Sequence, residues 1–222
     1  MKTLLIDIYK RLLKHHGKQH WWPGESHIEI IIGAILTQGV RWETVYKTII
    51  SLKENNLLTL QSLRDIDESR LAELIKSSVY FNQKTRKIKG FVHYIFTNYE
   101  GDINKLFAQD TKEIRNELLS IYGIGQETAD DIVLYAANKP VFIIDKYTKR
   151  ILNRIGITIE SNRYQDYQKL FMDNLDENVS IFNEYHALLD EHGSRICTKS
   201  NPACEKCCLN DICSFGTKQI ST

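Results

Sequence analysis

Near the C-terminal end of the chain, four cysteines are spaced C-x6-C-x2-C-x5-C, at Cys197, Cys204, Cys207 and Cys213. Thiolates are soft ligands, and four within one short loop can surround a zinc ion or an iron–sulfur cluster. Zinc sites ordinarily pair their cysteines as two close knuckles, whereas only Cys204 and Cys207 form one here. Flanking ligands separated from it by six and five intervening residues suit a larger cubane better than a single ion. A disulfide scaffold would distribute its cysteines. All five in this chain fall between positions 197 and 213, including Cys208, which breaks the spacing. Thiols reserved for a metal centre imply a reducing cytoplasm.

With 222 residues the chain has room for one large domain or two lobes around buried cores. A hydrophobic content of 42% with 26% charged residues is ordinary for a soluble globular protein. The net charge of +1 announces no polyanionic partner, so a nucleic-acid face would need local clustering. Two runs qualify: Lys84, Arg86, Lys87 and Lys89, then Lys146, Lys149, Arg150 and Arg154. By charge alone each reads as a solvated helix face. The N-terminal segment places Leu5, Ile8, Tyr9, Leu12 and Leu13 at helical spacing, interrupted by Asp7, Lys10 and Arg11. That is an amphipathic helix rather than a signal peptide. The longest apolar run, 28–36, contains Glu29 and is too short to span a bilayer, so no membrane partner is expected.

Helical periodicity runs nearly throughout and predicts an all-α protein. The expected helices are 3–15, 26–37, 42–54, 68–77, 82–98, 102–107, 111–121, 126–138, 145–154, 163–174 and 179–192. VFII at 141–144 reads as a brief extended segment, and Pro140 marks a helix stop and a plausible lobe boundary.

Residues 118–137, LLSIYGIGQETADDIVLYAA, place Gly123-Ile124-Gly125 between two helical segments. Glycines permit positive φ and close backbone approach, and the first amides of the second helix have no intrahelical acceptor. Such amides can point at a phosphate, although a G-x-G between helices can equally be a plain turn. Twenty residues on, Asp145 ends an apolar run and starts a basic helix. A carboxylate there is ordinarily an N-cap. It can also stabilise the oxocarbenium-like charge of a sugar losing its base, or activate water against it.

Together the glycine hairpin, the downstream Asp145 and the terminal cysteine loop resemble the endonuclease III family of helix-hairpin-helix DNA glycosylases. The resemblance runs from the LTQ segment at 36–38 to Cys213. It implies two helical lobes: residues 20–138 as a six-helix barrel, and residues 1–19 with 139–222 as a second lobe holding a [4Fe-4S] cluster on Cys197, Cys204, Cys207 and Cys213. It implies Asp145 as the catalytic carboxylate and a damaged base flipped from double-stranded DNA into a cleft between the lobes. The hairpin residues Gly123, Ile124, Gly125 and Thr128, together with Lys149, would contact DNA, and Gln38 would probe or fill the gap in the duplex. A monomer associated with the nucleoid in that cytoplasm is expected.

Two departures bear on activity. Where bifunctional members carry an imine-forming lysine, this chain has Glu127, which cannot form a Schiff base and leaves water as the nucleophile. The three tryptophans, Trp21, Trp22 and Trp42, gather with Pro23 near the expected base pocket, although any one indole is ordinarily core packing. Indole faces attract cations by roughly 0.5–2 kcal/mol each, which suits an alkylated purine such as 3-methyladenine. WWP, Trp42, FNQK at 81–84 and the Glu127 hairpin resemble the 3-methyladenine DNA glycosylase III subgroup, whose members can lack the cluster. The alternatives are a glycosylase/lyase for oxidised pyrimidines, a mismatch thymine or uracil glycosylase, a damage-recognising DNA-binding protein, and a mononuclear zinc protein.

Overall fold

The computed structural model describes residues 1–159 and 161–220. Glu160, Ser221 and Thr222, which belong to the expected second lobe, lie outside the described residues. The helices are α1 (Lys2–His16), α2 (His27–Leu36), α3 (Trp42–Glu54), α4 (Leu60–Asp65), α5 (Glu68–Leu74), α6 (Phe81–Tyr99) and α7 (Ile103–Phe107). They continue with α8 (Thr111–Ser120), α9 (Gln126–Asp131), α10 (Lys146–Ile155), α11 (Tyr164–Met172), α12 (Val179–Arg195) and α13 (Ser214–Ile220). No strand occurs among the described residues, and the fold is all-helical. Two compact units result: Trp22–Lys139, and Met1–Trp21 with Pro140–Thr222.

In the unit Trp22–Lys139, α2 is the central helix. Ser26 caps it by accepting from the Glu29 amide at 3.1 Å, and Ile28 to Leu36 are all buried. Burying Glu29 is tolerable because Lys53 Nζ reaches its Oε2 at 3.1 Å and the Glu25 amide donates to the same oxygen. Around α2 pack α3, α6 and α9. Asp67, Asp102 and Asp110 each cap a following helix, as their short acceptor side chains favour. Thr59 caps α4, which buries only Leu60 and Leu63 and is therefore too short to announce itself by periodicity.

The helix expected over 126–138 is not uniform. It is α-helical to Asp131 and π-helical from Ile132 to Ala136, then ends at Asn138 with φ 54°. π-Helical turns widen the backbone spiral and occur frequently at functional sites.

In the other unit, α12 packs against α1 and α10. Phe142 stacks on Phe171 at 3.7 Å and meets Phe182 and Tyr185 edge-on, which seats the 141–144 segment in the core. That segment needs no strand partner. Side chains satisfy its backbone: Gln168 Nε2 donates to the Phe142 carbonyl at 2.8 Å and the Ile144 amide donates to Tyr164 Oη at 3.2 Å.

Candidate functional site

The hairpin between α8 and α9 is held by an ion pair. Arg115 Nε and Nη2 reach the two carboxylate oxygens of fully buried Asp130 at 2.6 and 3.2 Å, a bidentate lock across the turn. Gly123 has φ 79°, and a Cβ there would meet the Lys87 side chain at 2.4 Å, so only glycine fits. Gly125 differs. Its Cβ position faces open space, and no side chain caps α9, whose first backward bond runs from the Ala129 amide to the Gly125 carbonyl at 2.8 Å. Ile124 is buried, and its amide donates to the Ile121 carbonyl at 3.1 Å. Thr128 is buried too, with its hydroxyl accepting from Gln38 Nε2 at 2.8 Å. The exposed residues of the hairpin thus include Tyr122, Gly125 and Glu127, not Ile124 or the Thr128 side chain.

Gln38 joins this hairpin from the turn after α2. Its Nε2 also donates to the Gly123 carbonyl at 3.2 Å, and its Oε1 accepts from Lys87 Nζ. The amide expected to probe the duplex therefore braces the hairpin in this structure. The first basic run is largely consumed inside its own unit. Lys89 donates to the Arg64 and Ile66 carbonyls, and Lys84 is 2% exposed, donating to the Leu36 and Ser78 carbonyls at 2.7 and 2.5 Å. Burial, with Lys87 nearby, pushes the Lys84 ammonium down to about 8. Only Arg86 of the four is exposed, its guanidinium 5.4 Å from the centre of the Tyr122 ring at the hairpin's entrance.

A feature invisible to sequence reading lies between η-turn Lys76–Ser78 and α6. Val79 and Tyr80 have φ 49° and 53°, and they are 51% and 66% exposed. Left-handed backbone at a β-branched residue is rare, and such strain is retained where the surrounding structure enforces it.

Trp22 and Trp42 meet edge to face at 5.2 Å, and Trp22 tilts against Tyr135 of the π-helical stretch at 5.4 Å. The Trp22 indole lies on α2 over Gly33, where a Cβ would come within 2.9 Å of the ring. Tyr46, half exposed, extends the cluster from Trp42. The two indoles stand 79° apart, so they offer single faces rather than a parallel slot. The unit boundary falls between Trp21 and Trp22, Pro23 is exposed at the start of the same segment, and Tyr135 is a member the sequence did not suggest.

Asp145, 6% exposed, is the N-cap of α10, with Oδ1 accepting from the Thr148 amide at 2.6 Å. Among the described residues its second oxygen accepts no hydrogen bond, so capping engages only one of the two carboxylate oxygens. Burial pushes the His186 imidazole down, against the pull of the Asp145 charge. Lys149, on α10, is engaged within its unit: Nζ donates to the Asn162 carbonyl at 3.0 Å and lies 5.0 Å from the Tyr167 ring centre.

The remaining basic residues of α10 hold the cysteine loop. Arg150 donates to the carbonyls of Cys197 and Gly193 at 2.8 and 2.7 Å, and Arg154 to those of Thr198 and Lys199 at 2.7 and 3.0 Å. Cys197, Cys204, Cys207 and Cys213 line one recess, partly open to solvent, and Cys208 is not among its lining residues. Donors approach two of the four sulfurs, Arg154 Nη1 to Cys197 at 3.2 Å and the Gly216 amide to Cys213 at 3.4 Å, and His192 Nε2 lies 3.3 Å from the Cys207 sulfur. Burial pushes the Cys207 thiol up to about 12. Burial, with His16 and His15 nearby, brings His192 down to about 3, a neutral ring whose Nδ1 is 3.0 Å from His16 Nε2. Among the described residues, no three His, Cys, Asp or Glu side chains converge closely enough to grip a single ion.

Residues 32–177 match the family model for the HhH-GPD superfamily base excision DNA repair protein. A Methanocaldococcus jannaschii protein named as a DNA repair glycosylase is 39% identical over 95% of this chain and 96% of its own length. Among solved structures, a trapped endonuclease III–DNA covalent intermediate shares the fold, with TM-score 0.85 at 20% identity over 99% of each chain. The H. pylori 3-methyladenine DNA glycosylase bound to 1,N6-ethenoadenine matches with TM-score 0.73 and 28% identity, over 87% of this chain and 95% of that one.

Proposed function

We propose that this chain, a DNA glycosylase that belongs to the HhH-GPD superfamily of base excision DNA repair proteins, is monofunctional and releases alkylated purines such as 3-methyladenine from double-stranded DNA. The observation that carries the reading is the aromatic cluster of Trp22, Trp42 and Tyr135 in one unit with a hairpin bearing exposed Glu127. An alkylated purine carries positive charge, which indole faces attract, and it leaves readily, so little acid assistance is needed. Glu127 offers no amine, so water attacks the sugar and the strand stays intact. The relative with 28% identity that was solved with 1,N6-ethenoadenine supports a modified purine as the substrate.

In this reading the unit Trp22–Lys139 recognises and the other unit reacts. Backbone amides beside Gly125 bind a phosphate, Val79 and Tyr80 enter the duplex as apolar wedges, and the aromatic cluster receives the base. The free oxygen of Asp145 faces the positive charge that develops on the sugar and directs water to it. The monomer suffices, and its partner is the damaged duplex.

A [4Fe-4S] cluster fits the cysteine recess. The four sulfurs line one recess, and donors aimed at Cys197 and Cys213 favour thiolates there. When bound, such a cluster supplies a covalent cross-link for the loop and a redox-active centre. Cys197, Cys204, Cys207 and Cys213 would hold it.

Incubation with duplexes each containing one defined lesion tests the substrate. Free 3-methyladenine with an unbroken abasic strand is expected, and borohydride should trap no protein–DNA adduct. Trp42→Ala should slow base release by about tenfold, as loss of one desolvated cation–π contact implies, with smaller effect on binding an abasic duplex. Borohydride trapping, or release of oxidised pyrimidines alone, would place the protein on the bifunctional branch.

Gly125→Val tests the hairpin. The side chain would enter space empty in the free protein, so the melting temperature should stay within a few degrees. Affinity for damaged and undamaged duplex should fall together by about tenfold, the scale of one charge-assisted hydrogen bond. Unchanged affinity would remove the hairpin from the DNA interface.

A further inference from the structure

Lys84 is out of place as a charge. It sits on the buried stripe of α6 with Ile88, Phe91, Val92 and Ile95, and its ammonium spends hydrogen bonds on two main-chain carbonyls from different loops. Leu36 O is at the C-terminal end of α2, immediately before the turn that carries Gln38. Ser78 O immediately precedes the strained Val79–Tyr80 pair. A buried ammonium is costly unless satisfied, and an apolar residue of similar shape would fill the stripe without it. One turn on, Lys87 bonds the Gln38 amide, which in turn holds Gly123 and Thr128. The start of α6 therefore connects three loops: the α2 turn, the 78–80 turn and the hairpin.

We propose that Lys84 is a positioning residue for damage recognition: by tying the Leu36 and Ser78 carbonyls together it holds Val79 and Tyr80 in their projecting conformation, in register with the turn that braces the hairpin. The inference rests on the proposed role of Val79 and Tyr80 as wedges. The Ser78 amide is held separately by the Ile75 carbonyl at 2.9 Å, so what Lys84 adds is the side-chain donor on the Ser78 carbonyl; without it the peptide leading into Val79 loses that hold and the pair relaxes toward ordinary backbone. Grip on the phosphates persists, because the Arg115–Asp130 pair locks the hairpin and Lys87 still holds Gln38 when Lys84 is replaced.

The test compares the full-length protein with Lys84→Met, Val79→Ala and the double variant. The probes are an undamaged duplex and one with a tetrahydrofuran abasic site opposite 2-aminopurine. Wild-type protein should prefer the abasic duplex and raise 2-aminopurine fluorescence as the opposing base is unstacked. Lys84→Met should lose about tenfold of that preference and the fluorescence rise, keep its affinity for undamaged duplex, and show no further loss when Val79→Ala is added, since residues acting as one unit are non-additive. Additive losses, or equal weakening on both duplexes, would overturn the role of Lys84 while leaving the wedge intact. A wild-type protein with neither preference nor fluorescence change would instead overturn the wedge reading itself. If Lys84→Met does not fold, Lys84→Gln, which keeps an N–H2 donor, is read in its place. It should retain part of the preference, and a full loss of preference by folded Lys84→Gln alongside additivity would count against the proposal.

Discussion

Asp145→Asn is expected to abolish base release by at least about 10²–10³-fold while leaving the fold intact, the scale seen when one preorganised charge-stabilising group is removed. The structure makes this substitution informative because capping and the proposed chemistry use different properties of the same side chain. The Thr148 amide needs an oxygen acceptor, which asparagine supplies about as well as aspartate. The sugar's developing positive charge needs a negative one, which asparagine lacks. Asp145→Ala separates the two further: it should lose base release equally and also cost about 1 kcal/mol for the lost cap, visible as a lower melting temperature. DNA affinity of the Asn variant should hold or rise, since a carboxylate near phosphates repels them. Near wild-type turnover in single-turnover assays of either variant would remove Asp145 from the mechanism.

Much of the fold was legible because local chemistry and tertiary role agree. Ser26, Asp67, Asp102 and Asp110 start helices that the apolar periodicity continues, and the tight glycine turn at 123–125 had no other economical conformation. The basic runs were misleading for a physical reason. Charge runs are read as solvated faces, but Lys84 falls in register with Ile88, Phe91 and Ile95, so the helical period turns it inward. That register was present in the sequence and could have been found. Arg150 and Arg154 could not: their partners are carbonyls more than forty residues away, and nothing in a basic helix announces which loop it will hold. The projecting Val79–Tyr80 pair was equally hidden, because neither residue type favours positive φ and only the enclosing structure imposes it. Tyr135 reached the aromatic cluster through a π-helical turn that a 3.6-residue period does not foresee.

Cys207→Ser should yield colourless protein whose loop from 197 to 213 is open to protease, and Cys208→Ser should yield brown protein as stable as the parent. The asymmetry follows from what each sulfur touches. Cys207 lines the shared recess and lies 3.3 Å from His192, whereas Cys208 is outside the lining. In the loop from 197 to 213 only Leu209 and Cys213 are buried, so apolar burial contributes little there and the proposed cluster would supply the order. Structural metal sites in small domains contribute on the order of 10 kcal/mol, comparable with the whole stability of a typical domain. The remainder of that unit has its own core around Phe142, Phe171 and Tyr185, so α1 and α12 should stay helical while the loop is lost. Arg150 would lose its Cys197 acceptor but keep Gly193 on α12, and Arg154 would lose its Thr198 and Lys199 acceptors, which lowers the melting temperature further. Visible absorbance, iron content and limited proteolysis measure the three consequences separately. A brown Cys207→Ser protein, or bleaching by Cys208→Ser, would show that the ligand set is wrong. A colourless parent containing stoichiometric zinc would replace the cluster with a mononuclear site.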